Sequence, residues 1–374
     1  MKFNFVSLFM NNRFIYTSAP GRICLFGEHQ DYLGLPVIAA AISKRMHIRA
    51  NLTFAPKVFM NLPDINSYEY FDLKNLPLPY TCERDYFRSA VNVLLKEGFQ
   101  FSLGISGELN SSIPINSGTA SSSALIVSWL NVLSHLADKP RNLSPEELAG
   151  LAYKAEVEEF NEPGGMMDHY AVAVGGIIYL QMSPSFRLET LSVNLGKFVL
   201  GDSGEPKDTI GTMNRIKSET LKIAHQLKLL DPNFSLLTTT ADELLAYRSL
   251  LSKSDFNLIN GTIANRDISH KAITLLRKLS NEKQIVDHYL FGQLLLEHND
   301  NLRDAQQILT PKINRMLDAS LEAGALGGKI NGSGGGGCMF AYAPNKTENV
   351  VEAIEKAGGR AYIVSIDKGV TVSQ

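Results

Sequence analysis

Apolar positions along the chain fall into two rhythms. Leu125, Trp129, Val132, Leu133 and Leu136 recur at the spacing of one apolar stripe on an amphipathic helix. Similar patterns predict helices over 84–97, from Ser144 onward, and over roughly 210–230, 240–252, 270–282, 285–298 and 311–323. Start signals sharpen two of these. Ser144, Pro145 and Glu147 form an N-cap, a first-turn proline and a capping box ahead of the stripe Leu148, Leu151, Ala152 and Ala155. Thr310 and Pro311 repeat the N-cap and proline ahead of Ile313, Met316, Leu317 and Leu321. Shorter apolar runs predict strands at 101–110, 177–180, 198–201 and 338–342. Residues 13–54 read as two strands around a loop, with 37–42 a buried strand or a short helix. The stretch 185–195 reads as irregular.

A chain of 374 residues exceeds one typical core, and that irregular stretch divides it into two expected domains, 1–195 and 196–374. A net charge of −2 gives no electrostatic case for nucleic acid or a membrane surface. Cys24, Cys82 and Cys338 have no paired or metal-type spacing, which fits a reducing cytoplasm. The apolar fragment at 6–10 is too short for a secretory leader and lacks a small-residue cleavage site. No apolar run approaches the ~20 residues of a membrane span. The expectation is a cytoplasmic enzyme.

Three stretches carry candidate chemistry. Pro114, Ile115, Asn116, Ser117, Gly118, Thr119, Ala120, Ser121, Ser122 and Ser123 form a small polar loop that runs onto a helix N-terminus. Free N–H groups and the helix dipole favour an anion there; the plainer reading is a serine-rich cap on a core helix. The loop at 19–34 sets Arg22, Glu28, His29 and Asp31 among apolar residues, so they pair with one another or face a polar cleft. Residues 332–337 satisfy G-x-G-x-x-G, but a helix is expected before them and a strand after, the wrong order for a dinucleotide fold. A tight loop approaching other backbone, or a phosphate, fits better. Beyond these, Glu156 falls at the edge of its helix stripe, as a snorkelling surface residue or a ligand facing a cleft. Asp168 lies in the first turn of a helix after a Pro-Gly-Gly turn, where the dipole alone favours it. His169 reads as a hydrogen-bonded structural histidine, since no metal-ligand spacing accompanies it.

Together the three stretches, Pro20-Gly21-Arg22, 114–124 and 329–337, resemble the motifs of the GHMP kinases in order. Gly27-Glu28-His29, with Asp31-Tyr32, is similar to the galactokinase signature, as are Ala155-Glu156 and Gly165-Met166-Met167-Asp168 at the galactokinase spacing; His169 stands where galactokinases carry glutamine. Asn116, Thr119 and Ser123 depart from the usual central loop, 201–209 looks more mevalonate-kinase-like, and the galactokinase tyrosine that touches the sugar falls on Met213. The resemblance implies an α+β fold of two domains, one like ribosomal protein S5 domain 2 and one ferredoxin-like, with ATP and sugar between them. It implies ATP phosphates held by Pro114, Asn116, Ser117, Gly118, Thr119, Ala120, Ser121, Ser122, Ser123, Gly334 and Gly335, and Mg²⁺ held by Ser122 and Glu156. Asp168 would accept the proton of the sugar hydroxyl or position it, with Arg22 beside it. Glu28, His29, Asp31 and Gly165 would bind the sugar. The implied activity is phosphorylation of the C1 hydroxyl of galactose or a related sugar. The alternatives are a kinase for an arabinose, a uronic acid or mevalonate, and a non-catalytic sugar sensor. The partners are small molecules, and nothing in the sequence sets an oligomeric state.

Overall fold

The computed structural model describes residues 14–115, 117–282 and 286–374. The apolar fragment at 6–10 and Asn116 lie outside these described residues. The 13–54 segment forms two long strands, β1 (Ile15–Phe26) and β2 (Val37–Thr53). Residues 37–42 are therefore strand rather than helix: the β-branched Val37, Ile38 and Ile42 are fully buried, which suits an interior strand. The hairpin β3 (Lys57–Leu62) and β4 (Ser67–Asp72) precedes α1 (Tyr86–Lys96). Strand β5 (Gly104–Ser111) then feeds the serine loop and α2 (Ser121–Leu136). This helix carries more than a single stripe: Ile126, Val127 and Leu130 are fully buried, whereas Leu125 is only half-buried. The expected capping box of Ser144 and Glu147 opens α3 (Pro145–Tyr153), which continues into a π-helical turn, Lys154–Glu158. α4 (Met167–Val174), β6 (Ile177–Gln181) and β7 (Arg187–Leu191) follow. Strand β7 lies inside the stretch expected to be irregular; β6 supplies the ladder that orders it, from Ile177 opposite Leu191 to Gln181 opposite Arg187.

The second half comprises β8 (Lys197–Asp202), α5 (Thr209–Leu230), α6 (Ala241–Leu244), α7 (Lys253–Glu282), α8 (His288–Asp304) and α9 (Pro311–Glu322), then β9 (Gly327–Ile330), β10 (Cys338–Tyr342), α10 (Thr347–Lys356), β11 (Arg360–Ser365) and β12 (Thr371–Ser373). Helix α7 starts well before the expected residue 270. Its first half buries Thr262, Asn265, Arg266 and Ser269, and polar residues on a buried face hide the apolar period. Arg266 is satisfied there by the carbonyls of Leu236 at 2.7 Å and Thr239 at 2.9 Å. Strand β9 corrects the expectation that a helix directly precedes the glycines. A four-residue Gly-Gly-Lys-Ile run carries no strand signal of its own and is ordered by antiparallel pairing with β10.

Among the described residues, eight strands form the first sheet, in the order β12-β1-β2-β5-β3-β4, with β6 on β2 and β7 on β6. Four strands form the second, in the order β11-β8-β10-β9. Pairing is antiparallel except between β3 and β5. The first core lies between the first sheet and α1–α4, around Trp129 and Leu133. The opposite face of β1, with Ile23 and Leu25, shares a core with Phe198, Leu200, Phe340 and Tyr342 of the second sheet and with α7 and α8. A third core, with Val199, Met339 and Ile354, lies between the second sheet and α5, α9 and α10. Period-2 alternation thus serves two cores at once. Residues 195–196 fall between the strands of the two sheets, but β12 returns to pair with β1, Tyr16 opposite Ser373. No described helix is long and apolar enough to cross a membrane.

Candidate active site

Helix α2 begins on Ala120, held in the left-handed region at φ 60°, with no side chain capping its first turn. By contrast Asp85, Ser144, Asp208, Asp287 and Thr310 each cap a helix with a side-chain oxygen. The unused N–H groups of α2 belong to residues that line a cavity of about 350 Å³, which holds Ser121, Ser122 and Ser123 at one wall. An uncapped helix start in a cavity is suited to an anion.

The serine loop is held in place by the glycine hairpin. Gly118 has φ +83°, and a Cβ there would lie 2.7 Å from the Asn331 carbonyl oxygen; a Cβ on Gly332 would lie 2.8 Å from the Gly118 carbonyl oxygen. The Cys338 N–H donates to Ser117 O at 2.8 Å, and Asn331 Nδ2 donates to Gly118 O at 2.8 Å. These glycines therefore serve the approach of backbone to backbone.

Arg22 follows a register shift in β1 between Pro20 and Gly21. Its N–H donates to Thr119 O at 3.0 Å, and its Nη1 donates to Gly118 O. Its Nε donates to Asp168 Oδ1 at 2.7 Å, and Nη2 lies 2.5 Å from the same oxygen. Burial works to lower the Arg22 pKa, but Asp168, with Cys24 and Glu28 nearby, outweighs it and the net shift is upward. Asp168 is placed by α4 and retains 30% of its side-chain exposure. Lys207 lines the cavity beside Ser333, with Nζ 3.4 Å from its hydroxyl. Burial, followed by the nearby Arg22 charge, brings the Lys207 amine down to about 8.

The 27–34 loop forms the opposite wall. His29 lines the cavity, yet both its ring nitrogens are committed: Nδ1 lies 2.6 Å from Tyr32 Oη and Nε2 lies 3.1 Å from Ser333 O. Ser333 O can only accept, so Nε2 carries the hydrogen, and Nδ1 accepts from Tyr32. Burial lowers the His29 pKa to about 4. Glu28 Oε1 pairs with Lys329, which also donates to Cys24 O at 2.9 Å and Ile330 O at 3.1 Å. Asp31 Oδ2 accepts from the Met167 N–H at 3.1 Å, a cap for α4 supplied from another loop. A Cβ on Gly165 would fall inside the Asp31 carboxylate, so glycine permits that contact. Burial raises the Asp31 pKa against the opposing Met167 bond.

Glu156 sits on the π-helical turn, which carries it off the edge of the α3 stripe into the cavity. Its Oε2 accepts from Ser123 Oγ and His169 Nε2, both at 2.8 Å. Burial works to raise its pKa, but the His169 and serine bonds outweigh it and the net shift is downward. Among the described residues no three acidic, histidine or cysteine side chains gather as a complete metal site. Ser122 and Glu156 line the cavity together and present oxygens, the donor type a hard cation takes alongside phosphates and water.

Of the expected residues, Arg22, Glu28, His29, Asp31, Gly165, Asp168, Glu156 and 117–118 with 120–123 line one cavity. Pro114, Thr119, Gly334 and Gly335 lie behind it. Pro114 O accepts from Ser117 Oγ at 2.8 Å, Thr119 O accepts from Arg22, a Cβ on Gly334 would lie 2.6 Å from Ile308 Cβ, and the Gly335 N–H donates to Ile308 O at 2.7 Å. They shape the two loops. Four charged residues were not anticipated: Lys207, Lys329, and the pair Arg84 and Glu162, whose Nη2 and Oε2 lie 2.9 Å apart on the cavity wall. Lys329 stands within the glycine motif and is fully buried on β9, so it needs a buried partner, which only the structure supplies as Glu28.

A helix start open to phosphate, a carboxylate oriented by a buried arginine and a polar acceptor loop in one cleft describe a phosphotransferase for small molecules. Residues 85–176 match the GHMP kinases N terminal domain, residues 275–361 the GHMP kinases C terminal domain, and residues 4–51 the galactokinase galactose-binding signature. The chain belongs to the GHMP kinases, and its two-domain fold is theirs. It is 27% identical to a mevalonate kinase of Thermococcus sibiricus, over 95% of this chain and 96% of that protein. It is 26% identical to a galactokinase of Haemophilus influenzae, over 95% and 94%. The structure of Lactococcus lactis galactokinase complexed with galactose superposes with a TM-score of 0.82 at 23% identity, covering 96% of this chain and 95% of that one.

Proposed function

We propose that this kinase transfers the γ-phosphoryl group of ATP to the C1 hydroxyl of galactose or a closely related neutral sugar. The observation that carries the reading is the charge of the acceptor wall. Glu28, Asp31 and Glu162 line it, while the cations near them are engaged: Lys329 by Glu28, Arg84 by Glu162 and Arg22 by Asp168. A neutral polyol gains hydrogen bonds from such acceptors, whereas a carboxylate-bearing substrate meets the Asp31 carboxylate; Lys207, the cavity cation that no acidic side chain pairs among the described residues, stands at the serine loop beside Ser333, where in this reading it serves phosphate. The match of residues 4–51 to the galactose-binding signature supports the same reading.

In this reading both Arg22 contacts fall on Asp168 Oδ1, which leaves Oδ2 to take the proton of the sugar hydroxyl or to orient it. The first turn of α2 and Lys207 hold the ATP phosphates. Ser122 and Glu156 hold Mg²⁺, which when bound would offset charge on those phosphates. Glu28 Oε2 and Asp31 receive sugar hydroxyls, and His29 keeps their loop in shape.

The similarity to mevalonate kinases of Thermococcus sibiricus and related archaea favours a second reading, in which the acceptor is mevalonate. Incubation with ATP, Mg²⁺ and a panel of galactose, arabinose, galacturonic acid and mevalonate, with product detection, decides. A sugar 1-phosphate is expected from a neutral sugar. Phosphomevalonate alone would replace the reading by the second, and binding without any product would indicate a sensor.

A further inference from the structure

His169 follows Asp168 directly, yet it faces the other functional carboxylate. We infer that His169 is the positioning residue for Glu156, fixing the carboxylate in the orientation in which it meets the nucleotide-bound divalent cation. This rests on the assignment of Glu156 and Ser122 as the Mg²⁺ ligands.

The geometry leaves the imidazole one role. His169 Nε2 lies 2.8 Å from Glu156 Oε2. Its Nδ1 is buried with no hydrogen-bond partner. A hydrogen on Nδ1 would be stranded, so the hydrogen sits on Nε2 and is donated to Glu156. The ring is 2% exposed and stands edge-on to Tyr153, with centroids 5.6 Å apart and planes at 84°. Burial and this contact restrict its rotation. Ser123 Oγ donates to the same Oε2 at 2.8 Å. Two donors on one oxygen hold the carboxylate plane, and Ser122, the other assigned ligand, also hydrogen-bonds the carboxylate.

The need for such a brace follows from the backbone. Glu156 lies in a π-helical turn, where its neighbours are not stacked as in the regular helix that precedes it. A carboxylate there depends on contacts from other elements, and α2 supplies Ser123 while α4 supplies His169. Because α4 also carries Asp168, one short helix bears on both the Glu156 and the Asp168 carboxylates. Loss of such an outer hydrogen bond typically costs 10–100-fold in metal affinity.

The test is ATP binding by the full chain, measured by calorimetry in EDTA and across a Mg²⁺ titration, for wild type, His169→Ala, His169→Asn and His169→Gln. The glutamine amide reaches the place of Nε2, whereas the asparagine amide is one bond short. The alanine and asparagine variants should need about 10-fold or more Mg²⁺ for half-maximal tightening of ATP. Their affinity in EDTA should stay at the wild-type value, and glutamine should restore the Mg²⁺ dependence. Unchanged Mg²⁺ dependence in a folded His169→Asn would overturn the inference. So would equal losses with and without Mg²⁺, or failure of glutamine to restore. Should alanine not fold, the asparagine and glutamine pair carries the same decision. Sugar is absent throughout, so failure here leaves the sugar assignment standing; wild type that binds no ATP would remove both readings.

Discussion

Arg22 and Asp168, 146 positions apart, meet through Nε and Oδ1 at 2.7 Å, with the arginine 4% and the carboxylate 30% exposed. The arginine is thus fixed from behind and the aspartate is open to the cleft. Asp168→Asn keeps the shape of the side chain and removes its capacity to take a proton. Turnover should fall by ~10²–10⁴ with ATP affinity unchanged. A helix-start aspartate with no part in the reaction would tolerate asparagine, which is also favoured at helix starts. Steady-state rates of the folded variant separate the two.

Lys207 gives a pH signature. Its folded pKa of about 8 lies below the ordinary 10.5, so its charge is lost as pH rises through about 8. Affinity for ATP should weaken across that range, and in Lys207→Met it should be weaker throughout and flat at this step. For stability the sign is opposite. Between about 8 and 10.5 the unfolded chain holds more protons than the folded one, so this group's contribution makes the fold more stable as pH rises through that window. Calorimetric titrations and denaturation at several pH values check the two arms.

Gly118→Ala places a Cβ 2.7 Å from Asn331 O at a backbone φ of +83°. The left-handed conformation alone costs about 1–2 kcal/mol, and the overlap pushes the serine loop from the hairpin. Both unfolding free energy and ATP affinity should fall. A loss of stability with native ATP affinity would show that the loop's position does not govern phosphate binding.

Gly165→Ala acts on the other wall. The added methyl overlaps the Asp31 carboxylate and breaks its bond to the Met167 N–H. The KM for sugar should rise by about tenfold or more, equivalent to ~1.4 kcal/mol, with ATP affinity retained. Equal effects on both substrates would place Asp31 outside the sugar subsite.

Much of this cleft was legible because its parts are local. The serine loop, the 27–34 loop and the Asp168 turn stand out as short polar or Pro-Gly-rich stretches, and the resemblance to the GHMP kinase motifs is what implied their shared site; Ser144 and Thr310 cap their helices as their sequences dictate. What was hidden depends on partners far along the chain. Strand β9 exists through β10, and β7 through β6. The first half of α7 conceals its buried face behind Thr262, Asn265 and Arg266. His29 reads in sequence as pairing within its own loop or facing a cleft, yet Ser333, 304 positions away, occupies its Nε2. The π-helical turn at Glu156 leaves no trace in composition, since it preserves the residue types and alters only their phase.

Strand β12 sets an order on synthesis. It pairs with β1 along Tyr16–Ser18, yet it is made only after every strand of the second sheet. As the chain leaves the ribosome, no strand among the described residues is yet available to pair that edge of β1 while the whole second sheet is translated. An open edge of this kind is a template for foreign strands. The nascent first sheet is therefore completed late, and soluble yield is expected to rise when Tyr16–Ser18 is shielded during translation, as co-expression of a chaperone would check.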